Sequence, residues 1–386
     1  MLEVLLAFLR LGCMSFGGPA AHLAYFREEF VRRRGWLSQA QFAQCISITQ
    51  LLPGPASSQT GMLIGLLRAG WPGAVGAWIG FTLPSAALMT AFAIYGPRGF
   101  AHAGWLHGLL VVAVAVVAQA ILTMRRALIS DLPQLVFAIA TCAAMLLAPY
   151  PATAPLAIGL CAAAALAVTR AKTERSEPLA LHRSRRGAIV AAGVFVALLA
   201  GLALSARAFH NPYVVLAARL YDVGSLVFGG GHVVLPLLNA EVVHAGMASS
   251  QKMIAGYAAA QAMPGPLFTL SSYVGAMVYD GALGVRGAIV ATLAIFLPSF
   301  LLIAAIAPFY ADLAASPRFS RALAGANASV VGLLASAFVA PIWTNAVHTI
   351  ADGAFAAAAF AALSYARLPA WLVVALAAAA GALVFR

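Results

Sequence analysis

Two clusters of hydroxyl and amide side chains hold most of the chemistry legible in this sequence. Ser57, Ser58, Gln59 and Thr60 follow directly on Pro53-Gly54-Pro55, and Thr269, Ser271 and Ser272 follow on Pro264-Gly265-Pro266. Each Pro-Gly-Pro interrupts a strongly apolar segment, where a helix-breaking element is costly. The helix that restarts after such a break has free backbone N–H groups and the positive end of its dipole beside hydroxyl donors. That combination binds anions without a lysine. Two such termini facing one another suit a small anion, a dianion above all. The competing reading is that the hydroxyls only cap their own helices or bond back within them. Gln50 and Gln261, immediately before the breaks, are placed to bond the backbone groups that the prolines leave free, or to reach the anion.

Further candidates surround these. Gly17-Gly18 and Gly229-Gly230 allow close backbone approach or expose N–H groups, the alternative being tight helix packing. Arg10 and Asp222 stand inside apolar segments, where ionisable residues are functional candidates. They occupy equivalent positions of an internal repeat and read either as an ion pair or as a substrate or proton site. His22 and His232 follow the glycine pairs and titrate near neutral pH, or are simply hydrogen-bonded interior histidines. Glu29 and Glu241 also match across the repeat; Glu29 is placed to pair with Arg32 or Arg33, to gate, or to lie among headgroups. Arg10, His22, Glu29, Asp222, His232 and Glu241 are thus the candidates for proton coupling. Cys13, Cys45, Cys142 and Cys161 stand apart in apolar segments and read as packing residues, not as a disulfide or metal framework. No nucleotide loop, zincin motif or nucleophile elbow is present, so no cofactor, metal or enzymatic activity is expected.

A membrane protein must position these residues. The chain has 386 residues, 63% hydrophobic and only 9% charged, against about 25% charged in soluble domains. Its apolar runs are helix-length and rich in Ala, Leu and Val, unlike the alternating strands of a membrane barrel. The fold class expected is an all-α polytopic membrane protein. The net charge of +12 sits in short loops between apolar runs, which points to positive-inside topology and anionic headgroups, not to nucleic acid. The N-terminal run lacks a basic leader and meets Arg10, so it reads as part of the fold and not as a signal peptide.

The chain repeats itself. Gly12 and Phe16-Gly17-Gly18 return as Gly224 and Phe228-Gly229-Gly230, 212 residues later, and Glu29 falls on Glu241. The Pro-Gly-Pro returns after 211 residues; Gly73-Ala74 and Leu83-Pro84-Ser85 return after 214 as Gly287-Ala288 and Leu297-Pro298-Ser299. The expected division is a first repeat over 1–170, a basic linker with one lone apolar helix over 171–211, and a second repeat over 212–386. Residues 27–34, with Phe26, Phe30 and Trp36, suggest a short helix lying on the membrane surface. Between Arg27 and Arg186, thirteen of fourteen basic residues share one face if 40–67 turns back at Pro53-Gly54-Pro55, leaving Arg98 alone on the other. A full crossing by 40–67 violates the positive-inside rule. Thirteen residues on either side of the break give about 20 Å of helix, enough to reach the midplane at about 15 Å. The lone helix adds an odd crossing, so the second repeat is inverted. Two inverted-topology repeats with broken or re-entrant helices are the pattern of secondary transporters, with the site where the breaks meet.

The ordered motifs also carry a resemblance. Phe16-Gly17-Gly18-Pro19 with His22-Leu23, Glu29, Val31-x-Arg33 and Trp36-Leu37, then Leu52-Pro53-Gly54-Pro55 with Gln59 and Gly61, resemble the chromate ion transporter family. Phe228-Gly229-Gly230-Gly231 with Pro264-Gly265-Pro266 resembles the second domain of its two-domain members. The second copy departs from the first in having Gly231 at the place of Pro19 and no basic cluster after Glu241. The resemblance implies export of chromate across the bacterial inner membrane, chromate resistance and coupling to the proton gradient. Chromate is a tetrahedral dianion close to sulfate in shape, so a transporter of sulfate or another small anion is the first alternative. A non-transport membrane subunit or an intramembrane enzyme is the second. The partners expected are the oxyanion and the lipid bilayer; a homodimer is compatible with this reading.

Overall fold

The computed structural model describes residues 1–16, 18–96, 104–148, 150, 152–169, 185–228 and 233–384. All regular elements among them are helical. Each repeat opens with two short hairpins. In the first repeat these are α1 (Leu2–Met14) with α2 (Gly18–Phe26), then α3 (Gln39–Gln50) with the start of α4 (Ala56–Tyr95). The 13 residues of α1 rise about 20 Å and cannot span a hydrocarbon core of about 30 Å.

Ion pairs show where the hairpins begin and end. Glu3, in the first turn of α1, reaches Arg34, just past the return of α2, at 3.6 Å and Arg68 at 3.2 Å. Both guanidiniums also stand 5.1 Å from the centre of the Trp36 ring. Four chain ends therefore gather on one face, and both hairpins are re-entrant. Phe8, Phe26 and Phe30 pack the first one, with the Phe8 and Phe30 rings stacked at 4.7 Å.

The stretch 27–33 is not a separate helix on the surface. It is a π-helix that continues α2 without a break, because Phe30 is drawn into the aromatic cluster. Glu29 is buried there and bonds Arg33 at 3.1 Å and Arg34 at 2.6 Å, while Arg32 pairs with Glu28. Burial pushes the Glu29 carboxyl up, but the bonds and charges of Arg34 and Arg33 outweigh it and hold it below the ordinary carboxylate value.

The 40 residues of α4 are two helices, 56–68 and 71–95, separated at Ala69 (φ −147°) and Gly70 (φ +64°). The limbs run antiparallel in backbone contact: a Cβ on Gly65 would stand 2.3 Å from the Gly73 carbonyl oxygen. The second limb is a full span.

α5 (Gly104–Leu128), α6 (Leu132–Leu147) and α7 (Thr153–Val168) complete the first repeat. α8 (Arg185–Phe209) follows, burying only Ala188 and Ala191. The second repeat opens with α9 (Pro212–Leu226), α10 (Val234–Leu238) with its π-helical continuation Asn239–Val243, and α11 (Ser250–Ala262). A 3-10 turn, Leu267–Thr269, leads into α12 (Leu270–Met277), and α13 (Gly284–Ile306) follows. Lys252 at the start of α11 pairs with Asp280 after α12 at 2.9 Å, and Arg219 of α9 pairs with Glu241 at 2.6 Å. These hairpins also close on themselves. Short α14 (Tyr310–Ala314) precedes α15 (Pro317–Ala337), and short α16 (Thr344–Ala346) precedes α17 (Ile350–Ser364) and α18 (Ala370–Val384).

The repeats are interlocked. α15 packs on α6 and α7 of the first repeat, with Gly332 against the Ala138 carbonyl and Gly325 against that of Cys161. α5 packs on α17 and α18 of the second, with Gly108 against the Ala377 carbonyl. Among the described residues, five helices are long and apolar enough to cross a membrane, those of α4, α5, α8, α13 and α15. With the shorter apolar helices α6, α7, α17 and α18 counted as crossings, each repeat has four, and α8 between them puts the second pair of hairpins on the face opposite the first.

Two outcomes test this arrangement. In oriented vesicles, Arg68→Cys and Lys252→Cys should react with an impermeant maleimide from opposite sides; labelling from the same side refutes the inversion. Gly65→Val should lower stability by about 1–3 kcal/mol, the usual range for overpacking, read as a fall in the thermal midpoint of the purified protein.

Candidate functional site

The breaks meet at the centre, and they meet reciprocally. The Gly54 N–H donates to the Val227 carbonyl at 2.6 Å, and the Gly265 N–H donates to the Ser15 carbonyl at 2.9 Å. Ser15 and Val227 are equivalent at the repeat offset of 212, as Gly54 and Gly265 are at 211. Each Pro-Gly-Pro therefore bonds to the glycine-rich break of the other repeat. Both glycines have positive φ, +125° and +97°, a conformation that excludes most side chains.

A second exchange lies beside the first. Gln59 donates from Nε2 to the Pro53 carbonyl at 2.7 Å and to Ser299 Oγ at 3.2 Å. In the other direction Thr269 Oγ1 stands 2.6 Å from Ser85 Oγ and donates to the Pro266 carbonyl at 2.8 Å, so Ser85 supplies the shared proton. The serines of the two Leu-Pro-Ser motifs are thus site residues. The sequence marked that motif only as a repeat, and its hydroxyl beside a proline was the signal available.

The hydroxyls divide into those already used and those left over. Thr60 bonds back to the Ala56 carbonyl at 2.8 Å and meets Thr49 at 3.2 Å across the hairpin. Ser272 meets Thr292 at 2.7 Å. Thr60 and Thr269 thus bond back to carbonyls of their own turns, while Ser272 is taken up by a helix-to-helix contact with α13. By contrast, Ser15 Oγ, Ser58 Oγ, Gln59 Oε1, Thr82 Oγ1 and Ser271 Oγ are buried without a partner. Such groups cost about 1–3 kcal/mol each when left unsatisfied. They lie on the breaks, on the helices that restart from them, or, for Thr82, one residue from Phe81.

Ser57 and His22 form a pair of their own. His22 Nδ1 is 3.2 Å from Ser57 Oγ, and Nε2 is 3.2 Å from the Ser15 carbonyl oxygen that Gly265 also bonds. The imidazole is 1% exposed and meets the Phe81 ring edge-on at 5.1 Å.

Other expected residues fall elsewhere. Gln50 is exposed; the carbonyl freed at Pro53 is bonded by Gln59. Gln261 is buried and bonds the Tyr257 hydroxyl. Arg10 is exposed, and Asp222 is half-buried within reach of Arg219 and Glu241, so the two do not form an ion pair. Glu29 and Glu241 are clamped by arginines at the hairpin ends, away from the breaks. Gly18 opens α2 with φ +76°. Gly17, Gly229, Gly230 and His232 lie outside the described residues.

Comparison with known proteins decides what kind of protein this is. The chain matches the chromate transporter family twice, over residues 2–168 and again over 214–382. It belongs to that family. A probable chromate transport protein of Synechococcus elongatus is 26% identical over 382 residues, 97% of this chain and 93% of the relative. The chromate transport protein of Pseudomonas aeruginosa is 27% identical over 390 residues, 98% of this chain and 91% of its own. That of Cupriavidus metallidurans is 24% identical over 344 residues, 87% and 81% of the two chains. No solved structure matches the transporter.

The reciprocal contact makes an unequal prediction for its two glycines. A Cβ on Gly54 would stand 2.3 Å from Gln59 Nε2 and 2.7 Å from Ser299 Oγ, whereas on Gly265 the nearest atom is the Ser85 Cβ at 3.0 Å. Gly54→Ala should therefore abolish transport by displacing Gln59. Gly265→Ala should lose less, leaving measurable flux in proteoliposomes; equal losses would count against the Gln59 contact as the reason.

Proposed function

We propose that this transporter exports chromate across the bacterial inner membrane, coupled to the proton gradient, and so confers chromate resistance. The observation that carries this reading is the set of unpartnered, fully buried hydroxyls where the helix breaks meet. A tetrahedral dianion offers acceptors on every side. It would satisfy Ser15, Ser58, Thr82 and Ser271 together with the free N–H groups that open α4 and follow Pro266, in surroundings that exclude water. Ser57 joins them through His22. Neutral donors hold a dehydrated anion without trapping it as a fixed cation would.

The face that bears Arg27, Arg32, Arg33, Arg34 and Arg68 is taken as cytoplasmic by the positive-inside rule. A potential of 100 mV, negative inside, then favours exit of a dianion by about 4.6 kcal/mol, at about 2.3 kcal/mol per charge. Export is feasible on the potential alone. Sulfate is the second substrate to consider, because every donor in the site addresses an oxygen and none reads the central atom.

Chromate and sulfate flux into proteoliposomes, with and without a pH gradient, tests the reading; no flux of either ion refutes it. Ser58→Ala combined with Ser271→Ala should cut flux about tenfold or more, each tenfold being about 1.4 kcal/mol. Thr60→Ala should change flux little, since its hydroxyl is already spent within the hairpin. Normal transport by the double variant would move the anion site away from the breaks.

A further inference from the structure

The bonding of His22 fixes more than its position. The Ser15 carbonyl can only accept, so the neutral ring must carry its proton on Nε2 and donate there. Nδ1 is then an acceptor, and the Ser57 hydroxyl must donate to it. In that state the one proton of Ser57 is committed to the histidine.

When a solvent proton binds Nδ1, the bond reverses. Nδ1–H now donates to Ser57 Oγ, and the Ser57 O–H is released. Ser57 is 3% exposed, so the released hydroxyl has no water to bond and needs an acceptor within the site. Ser57 is also the second residue of α4, so the imidazolium faces the positive end of a helix and is disfavoured there unless an anion is present. Both effects point the same way. We infer that proton binding at His22 turns Ser57 into a donor to the oxyanion, so that one proton binds with each anion and crosses in the same direction. On export the pair then carries one net negative charge, and the potential, not the pH difference, favours its exit, by about 2.3 kcal/mol per 100 mV.

The inference rests on the anion site proposed above and adds its coupling. Among the described residues no charged group acts on His22, whose surroundings contribute only burial and the Ser15 carbonyl bond to its titration. On its own helix Glu29 is held by Arg33 and Arg34, and on α1 Glu3 is held by Arg34 and Arg68, while Arg10 is exposed. The first limb of α4 has no ionisable residue before Arg68, and residues 263–266 have none. The Ser57 half of the relay has no counterpart at the offset of 211, where the second repeat has Phe268.

The test uses the intact transporter in proteoliposomes with a lumenal pH dye and the potential clamped at zero. Chromate supplied outside should acidify the lumen as it enters, at about one proton per anion. His22→Gln should abolish the acidification and lower chromate flux about tenfold, the remaining flux carrying no proton. Lumenal alkalinisation, or chromate flux with no proton movement in the unsubstituted protein, overturns the inference while leaving the transport reading intact. Acidification that survives His22→Gln places the proton on the anion or on another group and also overturns it. No chromate flux at all removes the transport reading, and the inference with it. A second measurement needs no variant. Where chromate is wholly the dianion, its Kd should tighten up to tenfold for each unit fall in pH, as linkage of one proton requires; a Kd indifferent to pH refutes the coupling.

Discussion

A peptide N–H released by a helix break at membrane depth has no water to bond, and an unsatisfied one costs several kcal/mol. In this transporter each repeat supplies the other's acceptor. Gly54 reaches Val227 and Gly265 reaches Ser15, so neither Pro-Gly-Pro is satisfied by its own repeat alone. The rest of the architecture follows from that requirement. Hairpins about half a membrane deep bring their breaks to the middle, inversion brings the two pairs there from opposite faces, and the crossed packing of α5 and α15 holds the repeats in register. Backbone is tolerated off the helix because it is buried in protein, not in lipid.

Much of this was legible because the evidence for it was discrete. Prolines, glycines and charges are sparse against an Ala/Leu background, so their offsets revealed the repeat and their parity revealed the return of 40–67. The ion pairs of Glu3 with Arg34 and Arg68 are the physical form of that parity. What escaped was whatever depended on packing. Nothing in the pattern of α5 says that it rests on α17 and α18, since one alanine-rich face resembles another. The π-helix at 27–33 escaped for a related reason: its charges read as solvated, while Phe30 pulled the same turn inward.

At the site, the residue types were readable and their assignments only partly so. The hydroxyl-rich turns do sit at the meeting of the breaks, but the glutamine that bonds the proline carbonyl is Gln59, one turn after the break, and not Gln50 before it. Ser85 and Ser299 were visible only as parts of a repeat, because a contact between segments more than 180 residues apart leaves no trace in local spacing. Ser57 and Thr60 lie three residues apart in one turn, yet one faces His22 and the other faces Thr49. Helical phase, not residue type, separates the hydroxyl that meets the histidine from the one that fastens the hairpin.

The frame is symmetric and the chemistry is not. Gly54 and Gly265, Gly12 and Gly224, Gly65 and Gly275, Ser85 and Ser299 serve equivalent purposes in the two repeats. At the restarted helices the equivalence ends: Ser57 becomes Phe268, and Thr269 of the second repeat makes the contact that Gln59 makes in the first. A symmetric frame lets one set of hairpins exchange its environment with the other at little cost in energy, which alternating access requires. A symmetric site would gain nothing further, because an anion needs a single best set of donors. Symmetry therefore persists where backbone meets backbone and has been given up in the side chains of the restarted helices.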